Sequence, residues 1–100
     1  MDIKSKRMTL VQKDSFTVDL EYNEHYAIVH LPKVDKFTKG IYLDMSIVFE
    51  DMKEFLKVVG YDHVWAALEP TNKPMIKFVG KIGLTFQGEA EDLNVYRGDL

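Results

Sequence analysis

The chain has 100 residues, 46% of them apolar and 29% charged, and a formal net charge of −3; this is one domain able to build a single core, unlike a disordered chain. It has no cysteine, which excludes a disulfide framework, a thiolate metal site and a thiol nucleophile. The mild acidity speaks against dedicated nucleic-acid binding, the apolar runs are too short for a membrane span, and the polar start lacks a signal peptide's apolar run, so a cytoplasmic protein without a membrane partner is expected.

The first residues are basic (Lys4, Lys6, Arg7 and Lys13), which reads as a solvated terminus. Within them Met8–Gln12 is a short apolar run suited to an edge strand. Phe16, Val18, Leu20 and Tyr22 alternate with Thr17, Asp19 and Glu21, the period of two of a half-buried strand. Turns at Lys13-Asp14-Ser15 and Asn23-Glu24 make these strands an antiparallel meander. His25–Leu31 is apolar on both faces apart from its histidines, which predicts a central strand buried on both sides. Pro32 closes it, and the loop Lys33–Gly40 carries Lys33, Lys36 and Lys39 against one aspartate.

From Ile41 to Val59 the apolar positions 41, 45, 48, 52, 55, 56 and 59 follow helical spacing. Tyr42, Leu43, Ile47 and Phe49 predict deeper burial for the first half of this helix, and Gly60 is a left-handed stop. His63–Leu68 is a second apolar strand. The order strand, loop, helix, strand is the unit of two parallel strands joined by a right-handed crossover. A second helix follows, with Thr71 or Asn72 as its cap, Pro74 in its first turn and Met75, Ile76, Val79 and Ile82 on one face. Its internal Gly80 suggests close packing. Leu84-Thr85-Phe86 and Leu93-Asn94-Val95-Tyr96 form a closing hairpin, joined through Gly88 and Glu89-Ala90-Glu91-Asp92. The fold class is α+β: one domain over 1–100, with a mixed, mostly antiparallel sheet, a central parallel strand pair and two helices covering the sheet faces.

Three features over residues 25–97 resemble the GCN5-related N-acetyltransferase (GNAT) superfamily. They are the strand-loop-helix from His25 to Val59, the run Gly60-Tyr61-Asp62-His63-Val64-Trp65, and Asn72 followed by Phe78-Val79-Gly80-Lys81-Ile82-Gly83-Leu84. The resemblance implies acetyl-coenzyme A or coenzyme A as the cofactor, with its pyrophosphate at the loop. Aligned on Lys39-Gly40-Ile41, the chain keeps the family's middle glycine but has Phe37 and Tyr42 where the family carries arginine or glutamine and a small residue. The family's tyrosine acid falls at Val79, and the family's N-terminal strand and two helices have no counterpart before His25.

Lysines beside a helix start suit an anion, because the free amides and the helix dipole already favour negative charge. The cofactor-binding candidates are therefore Lys36, Lys39, Gly40 and Ile41 at the loop, with Asn72 implied near the pantetheine. An amine acceptor needs a base. His30 is the first candidate, since imidazole titrates near neutrality, and Glu24 the second. Trp65 reads as core. The spacing of His25, His30 and His63 matches no metal motif. Two functions follow from the resemblance. One is a GNAT-like domain without full catalytic apparatus that works by binding a protein partner or a further copy of itself. Short, degenerate domains of this shape resemble tailed-phage proteins, including head-assembly and virion-associated ones, which would place the chain in the host cytoplasm or the virion. The alternative is a small acetyl-coenzyme A-dependent N-acetyltransferase acting on an amine.

Overall fold

The structure is a computed structural model that describes residues 5–13, 16–31 and 38–100. Its elements run β1 (Lys6–Gln12), β2 (Thr17–Tyr22), β3 (Ala27–His30), α1 (Lys39–Val59), β4 (His63–Leu68), α2 (Lys73–Lys81), β5 (Thr85–Ala90) and β6 (Leu93–Asp99). The six strands form one sheet in the order β1-β2-β3-β4-β6-β5, in which β3 and β4 are parallel and the other neighbours antiparallel. This is the expected α+β architecture with its central parallel pair.

Alternation sets the two faces of the sheet. Val18, Leu20, Ala27, Val29, Val64, Ala66, Leu68 and Tyr96 are buried on one face. Helix α1 covers that face with Met45, Phe49, Met52 and Leu56, and α2 covers it with Met75, Phe78 and Val79. The two helices also meet each other. The Phe78 ring stands edge-on to Phe49, with centroids 5.5 Å apart, and to Tyr42 at 5.6 Å. Such pairs add roughly 0.5–1.5 kcal/mol to the burial of the rings.

Both helices therefore lie on one side, and among the described residues the opposite face has no helix over it. This corrects the reading of His25–Leu31 as buried on both sides, because Ile28 and His30 point to the uncovered face and are half-buried. Trp65 is likewise half-buried on that face rather than core, with the Arg97 guanidinium 5.7 Å from its ring centre. The first half of α1 is not the deeper half. Leu43 and Ile47 are 51% and 62% exposed, and the four buried side chains are spread over the whole helix. Of the basic start, Lys6 and Arg7 stand exposed at the beginning of β1; Arg7 pairs with Asp19 across the β1–β2 ladder, and Lys13 with Asp44 of α1.

The turns follow local chemistry. The Asn23 side chain accepts hydrogen bonds from the amides of His25 and Tyr26, which closes the β2–β3 turn. Gly60, at φ 113°, ends α1 in the left-handed conformation expected of it. The last hairpin is tighter than the sequence suggests. Strand β5 continues to Ala90 through an irregularity between Phe86 and Gly88, and only Glu91 and Asp92 form the turn. Both have positive φ, 50° and 66°, the requirement of a type I′ turn that Asn-Gly usually meets.

Gly80 marks no close packing. It is exposed, and a Cβ built there would find no atom within 4 Å. Gly80→Ala should accordingly raise stability by about 1 kcal/mol, the helix-propensity difference. A higher urea midpoint at unchanged slope is the expected reading, and a lower midpoint would mean that α2 needs this glycine.

Candidate functional site

The parallel strands stop pairing before they end. Their ladder has the rungs Ile28↔Trp65 and Val29↔Ala66. Strand β4 runs on to Leu68 with its other edge still paired to β6 (Leu68↔Asn94). Beyond Ala66 the edge of β4 that faces β3 has no ladder partner among the described residues. This gap lies at the carboxyl ends of two parallel strands, each followed by a helix, the position where open α/β sheets hold their ligands.

Between the first turn of α1 and α2 lies a cavity of about 560 Å³, within the range of small-molecule sites. Thr38, Lys39 and Tyr42 form one wall; Pro74, Lys77, Phe78 and Lys81 form the other. Three lysines line it, and among the described residues no acid does. Tyr42, whose bulk at this position departs from the family pattern, is turned onto Phe78 and lies under the Lys81 ammonium, 5.4 Å from its ring centre. It forms part of the wall of the cavity.

Thr38 is the cap of α1. Its hydroxyl accepts from the amide of Ile41 at 3.2 Å, and its carbonyl accepts from Tyr42 at 3.0 Å. This brings the helix start forward to Lys39 and engages the amide of Ile41, one of the predicted binding residues. The helix itself supplies no acceptor for the amides of Lys39 and Gly40. Lys39 is exposed and lines the cavity. Gly40 sits in open space, since a Cβ there would come no nearer than 3.9 Å to any atom, the Thr38 hydroxyl. Neither backbone angle nor packing demands glycine here, whereas close approach of an anion to the amides would. Lys33 and Lys36 lie outside the described residues.

Asn72 is buried, the one buried polar residue among the described side chains. It occupies the N-cap position of α2 but makes no side-chain capping bond, contrary to the role that would explain it by helix structure alone. Val79, at the position of the family's tyrosine acid, is fully buried and offers no proton.

The two candidate bases are not brought together. Glu24 is exposed in the turn before β3, at the far end of that strand from α1. His30 closes β3 on the uncovered face, two residues beyond the rung at Ile28, with its Nε2 3.1 Å from the Glu21 carboxylate on β2. A carboxylate on one ring nitrogen orients an imidazole and selects its tautomer. His63 pairs instead with Asp99 at 3.2 Å, and no group of three metal-ligating side chains exists among the described residues.

Lys77 and Lys81 are the residues that reading the loop in isolation passes over. Their signal is the run Lys73, Lys77, Lys81 at intervals of four, a basic stripe on one side of α2.

No protein-family model and no curated protein matches the chain. Its fold is similar to that of an acetyltransferase from Bacillus cereus ATCC 14579, known from a 1.9 Å crystal structure, with a TM-score of 0.65 over 98% of this chain and 74% of that one. At 14% identity the likeness is one of fold. Among the described residues no helix is long and apolar enough to cross a membrane.

Gly40→Ala should leave the fold intact or slightly stabilised, as at Gly80, while weakening anion binding at the start of α1. Thermal melts with and without coenzyme A separate the two effects. An unchanged ligand-induced shift in this variant would mean that the amides of Lys39 and Gly40 do not meet the ligand.

Proposed function

We propose that the chain is an acyl-coenzyme A-binding domain of the acetyltransferase fold, and that it transfers an acetyl group to an amine. The observation that carries this reading is the cavity between α1 and α2. It joins three lysines, two amides with no acceptor in their helix and an apolar wall of Tyr42, Phe78 and Pro74, between the two helices that follow the parallel strands β3 and β4. A ligand with a polyanionic end and an apolar tether matches that combination; coenzyme A is such a ligand.

Each group then has a task. Lys39, Lys77 and Lys81 meet the negative charge, and the amides of Lys39 and Gly40 donate to phosphate oxygens at the positive end of the helix dipole. Asn72, with its carboxamide released from capping, stands at the start of α2 for a polar contact with the tether. Open backbone groups of β3 and β4 polarise the acyl carbonyl. Acetyl-coenzyme A supplies an activated acyl group: the amine nitrogen bonds to the acyl carbon, the carbon–sulfur bond breaks, and one proton leaves nitrogen while one reaches sulfur. His30, held by Glu21, accepts the proton from the amine. With valine at position 79, the sulfur takes its proton from solvent or from the protonated His30.

A second reading is a domain of this fold that has lost catalysis and works by binding protein. What favours it is the outer surface of α1, where Leu43, Ile47 and Val58 are exposed at 51%, 62% and 83%. A head-assembly or virion-associated role belongs to that reading, as does self-association.

Coenzyme A at 100 times its dissociation constant should stabilise the protein by about 2.7 kcal/mol. Lys77→Ala with Lys81→Ala should remove most of that gain. No shift at millimolar coenzyme A, together with a mass in solution above that of one chain, would favour the binding-protein reading. For catalysis, His30→Gln should lower acetyl transfer at least 100-fold with coenzyme A affinity unchanged. An equal fall in affinity would make His30 a structural residue.

A further inference from the structure

The uncovered face of the sheet holds a second cavity, of about 520 Å³. It lies across the same parallel pair, on the opposite side from the lysines. Its walls are apolar: Tyr26 and Ile28 of the β3 segment, Trp65 and Ala67 of β4, and Leu93 and Val95 of β6. Ile28 and Trp65 form a rung of the ladder that ends at the gap. His30, the next outward residue after Ile28, lies one step of about 7 Å along the strand. The titratable groups on this cavity are His25, Tyr26 and Glu91. The Tyr26 hydroxyl is already engaged with Ser5 at 3.2 Å.

Glu91 is therefore the formal negative charge on an otherwise apolar cavity, and its backbone is unusual. It holds φ 50° in a turn whose next residue, Asp92, holds φ 66°. Left-handed conformations cost most residues about 1–2 kcal/mol, a cost that Asn-Gly largely avoids in a turn of this type. The turn thus gives up stability and places Glu91 among the residues that line the cavity.

We propose that this cavity receives the acyl acceptor, and that the acceptor is a primary amine carrying a compact aromatic or apolar body, with its ammonium held by Glu91. The assignment of the ligand as an acceptor rests on the acyl-transfer reading above. The apolar walls take the body, and the carboxylate complements the cation. The end of the cavity toward the gap puts the bound amine on the face that carries His30. A polar polyamine or a peptide backbone would leave its polar groups unmatched against Ile28, Trp65, Leu93 and Val95.

Trp65 is the sole tryptophan of the chain and lines the cavity, so it reports binding directly. With excitation at the red edge of its absorption, 2-phenylethylamine should change its emission saturably, and 2-phenylethanol should bind at least tenfold more weakly. Glu91→Gln should weaken the amine about tenfold and leave the alcohol unchanged. Replacing Glu91-Asp92 by Asn-Gly should do the same while raising the melting temperature, which separates loss of the carboxylate from loss of the fold. No saturable response at millimolar amine, or equal binding of amine and alcohol, overturns the assignment. Coenzyme A binding without an amine response overturns the cavity assignment alone. Amine binding without coenzyme A binding overturns the acceptor role and the transfer reading with it.

Discussion

The packing of Phe78 between the helices sets most of what distinguishes this molecule. Its ring is almost completely buried and meets Phe49 and Tyr42 edge-on, so α2 is fastened to α1 as well as to the sheet. Two helices joined in this way share one face of the sheet. From that follow the cavity between their neighbouring turns and the convergence there of lysines distant in sequence. The open condition of the other face follows as well.

A sheet covered on one side has a different chemistry on each. The covered side is a close-packed core from Val18 to Tyr96, in which Asn72 is the polar exception. The uncovered side has an apolar centre around Ile28, Trp65 and Val95. Around it stand polar side chains paired with neighbours, Arg7 with Asp19, His30 with Glu21, and His63 with Asp99. Pairs this exposed contribute at most about 1 kcal/mol each, so their effect is mainly to fix side-chain orientation. For His30 that orientation is what matters, since a ring held by Glu21 presents a defined nitrogen to its surroundings.

The glycines divide along the same line between fold and ligand. Gly60 is required by the backbone, at φ 113° where α1 must stop. Gly80 is required by nothing in its surroundings. Gly40 is likewise free of steric demand, yet it occupies the first turn of a helix beside three lysines, where absence of a side chain opens the amides to a bound group. The departures around it are milder in space than in sequence. Tyr42 turns toward Phe78. Phe37 lies outside the described residues.

The amino-acid sequence by itself determined the order of elements, the parallel pair, the two helices and the end of α1. Alternation at Phe16–Tyr22, the helical spacing of Ile41–Val59 and the glycine at position 60 each act through neighbours in the chain. It also marked Lys39, Gly40 and Asn72 as the places to look. The tertiary structure alone decided which face each helix takes, because that depends on Phe78 meeting Phe49 across a separation of 29 positions. For the same reason it decided that Trp65 and Ile28 are not core, that Lys77 and Lys81 join Lys39, and that Glu91 and Trp65 line one cavity. Periodicity reports that a residue has an apolar side to bury against. It does not report whether anything lies on the other side, and the cavity around Ile28 and Trp65 arises from that second fact.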